Sequence, residues 1–289
     1  MIVPGGKEGS GIMSAAYTAR DFDKGPKTYS DRAFMDTIHA ATGLADFPGV
    51  ATVIDLMSGP AKVAQGLRER SPQHRYFALD AAEGKLAKIP EGIGRLQADV
   101  RTMLSGDMHV PIADVVVARY GLKDIPQGQQ REVLENIYYR LRPEGILVIA
   151  DMVSPDGMKF RTNQQHSLKQ ELGNIPRDIA TEGRCNIPTE DGWFDLLENA
   201  GFKVQSRQDY VSQVSTANWV EGNQIGIPQR AQMDKLLAGE PRYFKMRFNI
   251  SGESPVNIGF PVLIIRAIRS STPVERELQT IGSEFVVQF

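Results

Sequence analysis

Three acidic side chains stand where apolar runs end. Val53-Ile54 leads into Asp55, Tyr76-Phe77-Ala78-Leu79 into Asp80, and a third segment closes at Asp99. Carboxylates at successive strand ends can accept hydrogen bonds from a ligand rich in hydroxyl and amino groups. The series therefore points to a nucleoside-type molecule lying across the ends of a parallel sheet. The turn after Asp55, Leu56-Met57-Ser58-Gly59-Pro60-Ala61, leads into a helical stretch from Lys62 to Arg70. Such a turn puts backbone N–H groups and a helix N-terminus beside the ligand. Glycines would let the ligand approach the backbone, but Met57 and Ala61 stand at two of the tight positions and only Gly59 is left. Asp80, about 25 residues after Asp55, is placed to hold both hydroxyls of a ribose. It also reads as a helix N-cap before Ala81-Ala82-Glu83, and the two roles are compatible. Asp99 reads equally well as a surface acid, and its claim comes from its place in the series.

The elements that would position these groups alternate strand and helix. Near-continuous apolar runs predict strands at 51–55, 75–79, 94–98, 113–118 and 145–151, as parallel strands covered on both faces require. Helices are predicted at 61–70, 83–88 and 127–141, the last with Val133, Leu134, Ile137 and Leu141 on one stripe. Ser30 is read as the cap of an earlier helix with Phe34, Ile38 and Ala41 on one face. Later, a helix over 160–172, a helix from Thr189 stopped by Gly201, a strand from Phe202 to Tyr210, a helix near 228–238 and a strand from Pro261 to Ile268 complete a doubly wound α/β sheet of seven strands. Residues 1–28 read as a tail or lid arm before one domain over 29–289. Segments of about 155–190 and 211–260 read as insertions forming a cap.

The bulk composition excludes several classes. The chain has 289 residues, is 41% apolar and 24% charged, and carries a net charge of −2, with no general basic surface for nucleic acid. One cysteine, Cys185, precludes an intrachain disulfide framework, and His39, His74, His109 and His166 lack the spacing of a helical metal motif, so no metal is expected. No apolar run reaches the roughly 20 residues that span a bilayer, and the first residues lack a signal-peptide core. A cytoplasmic protein with no membrane partner is the expectation. The apolar run Phe285–Phe289 is compatible with a homodimer but does not decide it.

In their order, these segments resemble the class I S-adenosylmethionine-dependent methyltransferases, a Rossmann-like family. The carriers are Val53–Ala61, Phe77–Leu86, Gln97–Val100, Asp114–Asp124 and Leu141–Asp151, five motifs in register, and the resemblance covers roughly residues 30 to 210 and the final strand. It implies S-adenosyl-L-methionine (SAM) as cofactor and a small-molecule acceptor, with a role in metabolite biosynthesis. Asp55, Met57 and Gly59 would lie at the methionine end of the cofactor. Asp80 would take the ribose, with Ala81 beside the adenine. Asp99 would accept from the adenine amino group, with Val100 packing nearby. Arg119 and Tyr120 would stand closest to the reactive carbon, and Tyr29 is a candidate lid residue. Met57 replaces a family glycine, and its side chain either points into the ligand site or packs under the sheet.

Methyl transfer needs alignment of nucleophile, methyl and sulfur in a desolvated pocket, and a base only where the acceptor must lose a proton. The candidates are Tyr120, Asp124, Asp151, His166 and Tyr210. His166 shares the 160–172 helix with Arg161 and Lys169, a pattern that reads as a solvated face. The altered turn keeps two further readings open. One is attack on another carbon of the cofactor, giving aminocarboxypropyl transfer or cyclisation with release of methylthioadenosine. The other is a non-catalytic subunit that has kept the fold.

Overall fold

A computed structural model describes residues 31–103, 110–172, 186–221 and 226–271. The expected arm with Tyr29, the run Phe285–Phe289, His109 and Cys185 lie outside the described residues.

Seven strands form one sheet in the order β3-β2-β1-β4-β5-β7-β6. β1 (Thr52–Leu56), β2 (Arg75–Asp80), β3 (Gly94–Gln97), β4 (Ala113–Arg119) and β5 (Leu141–Met152) run parallel. β7 (Asn257–Arg269) is antiparallel to β5 on one side and to β6 (Phe202–Ser215) on the other. Every residue of β1 is buried, which accounts for its unbroken apolar run around Asp55. The expected Rossmann-like, doubly wound sheet is present.

Helices cover both faces in separate apolar clusters. α1 (Arg32–Thr42) and α2 (Lys62–Arg70) pack on one face through Phe34, Ile38, Val63 and Leu67. The brief α3 (Glu83–Leu86) adds Leu86 to that cluster. On the other face, α4 (Gln127–Arg140) contributes Val133, Leu134 and Ile137, and α6 (Glu190–Asn199) contributes Trp193 and Leu197. The cap of α1 is Asp31, one residue later than expected: its carboxylate accepts from the N–H groups of Ala33 and Phe34. α6 starts as read, with Thr189 accepting from Gly192 N–H, and is followed by Gly201 at φ 95.

Three boundaries move. β5 begins at Leu141 rather than at residue 145, because the predicted turn is an irregularity inside a longer pairing: Ala113 faces Leu141, and the register then resumes at Val115 and Ile146. Glu144 takes φ 61 there, and a Cβ on Gly145 would stand 2.8 Å from the Arg142 carbonyl oxygen. β6 and β7 both outrun their predicted limits and stay paired from Val211↔Pro261 to Ser215↔Asn257. Since Met152 at the end of β5 faces Val262, this extension projects past the carboxyl ends of the parallel strands. The 211–260 segment thus starts and finishes as a two-stranded ribbon. It carries α7 (Thr216–Glu221), α8 (Ile227–Ala238) and α9 (Arg242–Arg247). With α5 (Lys159–Leu172) before α6, these elements build a third cluster around Met152, Ile187, Met233, Phe244 and Phe260, against which Tyr120 also packs.

Candidate functional site

The carboxyl ends of β1, β2 and β4 bring the predicted groups to one edge. Asp55 lies inside β1 and is 2% exposed; its carboxylate accepts from Ala64 N–H of α2 at 3.0 Å. Burial pushes its carboxyl up to about 7, against the pull of that N–H and of the Arg119 charge. Asp80 ends β2 and accepts from Gly59 N–H at 2.8 Å and from Ala82 N–H at 2.9 Å. It therefore ties the first turn to the second strand while also serving the local cap. Burial raises its pKa, and the two N–H groups act in the opposite sense.

The first turn keeps the shape that glycines would give it. Met57, Gly59 and Ala61 all take left-handed φ values, of 50, 53 and 56. For residues with a Cβ this conformation costs roughly 1–2 kcal/mol each. Among the described residues five non-glycines have positive φ, and three of them, Met57, Ala61 and Tyr120, lie at this edge. Met57 packs against the apolar cluster on the α4 face. Its side chain is half-buried and lies over Gly121, where an added Cβ would meet its Cβ at 2.9 Å and its Sδ at 2.8 Å. Ala61 is fully buried.

Asp99 is engaged by its own neighbour. Arg101 donates its backbone N–H at 2.9 Å and its guanidinium at 2.5 to 3.1 Å. Burial opposes charge on Asp99, but these bonds outweigh it and hold its carboxyl below the usual range. Val100 is 4% exposed and packs in the core cluster on the α4 face, while Ala81 is exposed at the end of β2. Arg119 ends β4 half-buried, and Tyr120 follows it at φ 53.

The loop after β4 joins the helices beyond β5. Lys123 Nζ donates to Tyr120 carbonyl at 2.7 Å and to Asp124 at 3.0 Å, and Lys123 N–H donates to Asp151 at 3.2 Å. Burial pushes the Asp151 carboxyl up to about 6, with the Lys123 charge pulling it down. His166 is the main correction to the expected pattern. Rather than lying on a solvated face it is 5% exposed, with Nε2 3.6 Å from Asp124 Oδ1. Thr162 and His166, one turn apart on α5, are both buried and share its inner face. Sequence reasoning assigned Lys123 no role, since a lone lysine in a loop carries no periodic or motif signal. Tyr210 stands at the same level as Met152, since both pair with Val262. Its hydroxyl donates to Asp31, and burial, then that bond, pushes its pKa up to about 12. Its hydroxyl is thereby engaged with Asp31 and protonated at neutral pH.

A mixed sheet whose parallel strands end at strained turns and buried carboxylates is a doubly wound α/β fold of the Rossmann-like class. The chain belongs to the O-methyltransferase domain family, whose model matches residues 8–203. It is similar to two carboxy-S-adenosyl-L-methionine synthases: 28% identical over 166 residues to that of Chromohalobacter salexigens and 24% over 151 residues to that of Hydrogenovibrio crunogenus. These alignments cover 53% and 48% of the chain, and only 62% and 60% of the relatives' lengths. A solved structure from Bacillus halodurans, described as a methyltransferase, superposes with a TM-score of 0.67 at 15% identity. It covers 82% of the chain and all of the other protein, a likeness of fold. No helix among the described residues is long and apolar enough to cross a membrane.

Proposed function

We propose that the protein binds S-adenosyl-L-methionine along the edge from Met57 to Asp99 and transfers its methyl group to a small acceptor. The observation that carries this reading is the strain at Met57 and Ala61. Two residues with side chains adopt the glycine shape of a ligand loop, and Asp80 holds that shape through Gly59 N–H. Strain of this kind persists where surrounding structure and a function require it.

The residues present fit the cofactor. Asp80 uses two lone pairs on backbone N–H groups and has others to accept from ribose hydroxyls. The protonatable Asp55 and the backbone of the 57–61 turn serve the methionine end, near Arg119. Ala81 and Val100 flank the base, and Asp99 would accept from its amino group only while sharing its oxygens with Arg101. The bound cofactor supplies a methyl group already activated on a sulfonium. The chain's task is to align the acceptor, exclude water and accept a proton where one must leave. His166, held beside Asp124, is the candidate base; Tyr120 supplies a wall of the acceptor space rather than a proton acceptor. The helices after β5 and the ribbon of β6 and β7 form the cap over that space. A net charge of −2 suits a small metabolite better than a nucleic acid.

Calorimetry with SAM, followed by product analysis, tests the reading. Binding, with S-adenosylhomocysteine formed only when an acceptor is added, supports it. Methylthioadenosine from SAM alone would instead assign non-methyl chemistry, and absence of binding at about 1 mM SAM would leave a non-catalytic subunit.

A further inference from the structure

One corner of the helical region departs from the rest of the surface. α9 is anchored by Phe244, 1% exposed and stacked on Phe248 at 4.4 Å between centroids. Its other large apolar side chains face outward: Tyr243 is 55% exposed and Met246 70%. Arg242, Lys245 and Arg247 alternate with them, and none of the three forms an ion pair among the described residues. The six-residue helix thus carries three cations and no acid, in a chain whose net charge is −2. Phe160, 82% exposed, lies in the first turn of α5 near this corner: its neighbour Arg161 pairs with Glu240 and reaches the Tyr243 hydroxyl at 3.5 Å.

We propose that this corner is a docking surface for an anionic lipid bilayer. Aromatic and thioether side chains interleaved with cations match a membrane interface, where rings settle at headgroup level and Lys and Arg meet anionic headgroups. Near such a surface each cation strengthens partitioning by about fivefold. Three exposed apolar side chains cover far less than the roughly 800 Å² per partner that a stable protein interface buries. A nucleic-acid surface would need cations over a wider area than one short helix. The proposal is independent of the methyl-transfer reading. It departs from the expectation that no membrane is involved, which rested on the lack of a spanning apolar run; a surface contact needs no such run.

The test is co-sedimentation of the full chain with vesicles of phosphatidylcholine alone and of phosphatidylcholine with phosphatidylserine at about 2:1. Binding is expected only to the anionic vesicles, and it weakens as salt is raised. The triple variant R242Q/K245Q/R247Q should lower partitioning on the order of a hundredfold, and Y243S/M246S on the order of tenfold. Both leave Phe244 and Phe248 in place, and an unchanged thermal midpoint shows that each is folded. No sedimentation with anionic vesicles at low salt would overturn the proposal. So would equal binding to neutral vesicles, folded variants that bind like the native chain, or a preference for duplex DNA over lipid.

Discussion

The Tyr210 hydroxyl donates to the carboxylate of Asp31, the residue that caps α1. Beside them Phe34 lies tilted against Tyr210 at 4.6 Å between ring centroids and stacks on Tyr120 at 6.0 Å. One hydrogen bond and three rings thereby join β6, α1 and the end of β4 at the edge where the carboxylates gather. Residues 179 positions apart in the chain fix how α1 enters the fold.

Removing that hydroxyl should loosen the junction. Tyr210→Phe is expected to cost about 1–2 kcal/mol at pH 7, toward the low end for a hydrogen bond to a charged group because the pair is only partly buried. The Tyr210 bond, with smaller help from the N–H groups of Phe34 and Ala33 against burial, holds the Asp31 carboxyl below its ordinary 3.8. A depressed acid stabilises the fold above its unfolded value, and that stability is lost as pH falls through the folded one. The gap between native and variant should therefore narrow below pH 4. Urea denaturation at pH 7 and pH 3 measures it.

Asp80 carries both the loop and the proposed ribose contact. Asp80→Ala should weaken SAM binding by at least about 2 kcal/mol, roughly thirtyfold in Kd, while the chain still folds. Calorimetry reads the affinity and circular dichroism the fold. Unaltered affinity in a folded variant would remove Asp80 from the site.

Met57 and Gly121 form a packed pair that can be tested by a double-mutant cycle. Gly121→Ala drives a Cβ into Met57 and should destabilise by about 1–3 kcal/mol. Met57→Gly relieves the left-handed strain and gives up the packing. Added to Gly121→Ala it should recover most of the loss, a coupling of about 1 kcal/mol or more. Additive effects in chemical denaturation would mean that the two residues are not in contact.

Asp55 should make stability depend on pH in the opposite sense to Asp31. Its folded pKa is raised from 3.8 to about 7, chiefly by burial. A raised acid stabilises fully below its unfolded value, and that contribution disappears as pH rises through the folded one. Relative to Asp55→Asn, the native chain should gain stability as pH is lowered from 7 to 4. A difference that stays constant over that range, in denaturation at several pH values, would place a permanent charge on Asp55.

The residues at the strand ends were legible because local rules govern them. Apolar runs of five to seven residues bounded by Gly, Pro and Asp read as parallel strands, and Asp55 and Asp80 fall near their ends; Asp99 follows the more polar Gly94–Ala98 and was legible only from its place in the series. The cap of α6 at Thr189 and its stop at Gly201 were legible for the same reason, since each satisfies backbone groups within a few residues. The start of β5 was misplaced because Pro143-Glu144-Gly145 carries every mark of a turn. Only pairing with β4 shows that the chain there bends inside a ladder.

By itself the sequence determined the alternation of strand and helix, the line of acids and the family to which the chain belongs. Those depend on period, spacing and short-range caps. Tertiary structure alone decided which of the polar groups are engaged. Asp99 turns to Arg101, Tyr210 to Asp31 and His166 inward to Asp124, although nothing in the polar stretch around His166 distinguishes a buried imidazole from a solvated one. It also decided that Met57 and Ala61 keep a glycine's backbone. A residue's preferred φ can be read from its side chain, but its actual φ is imposed by everything packed around it.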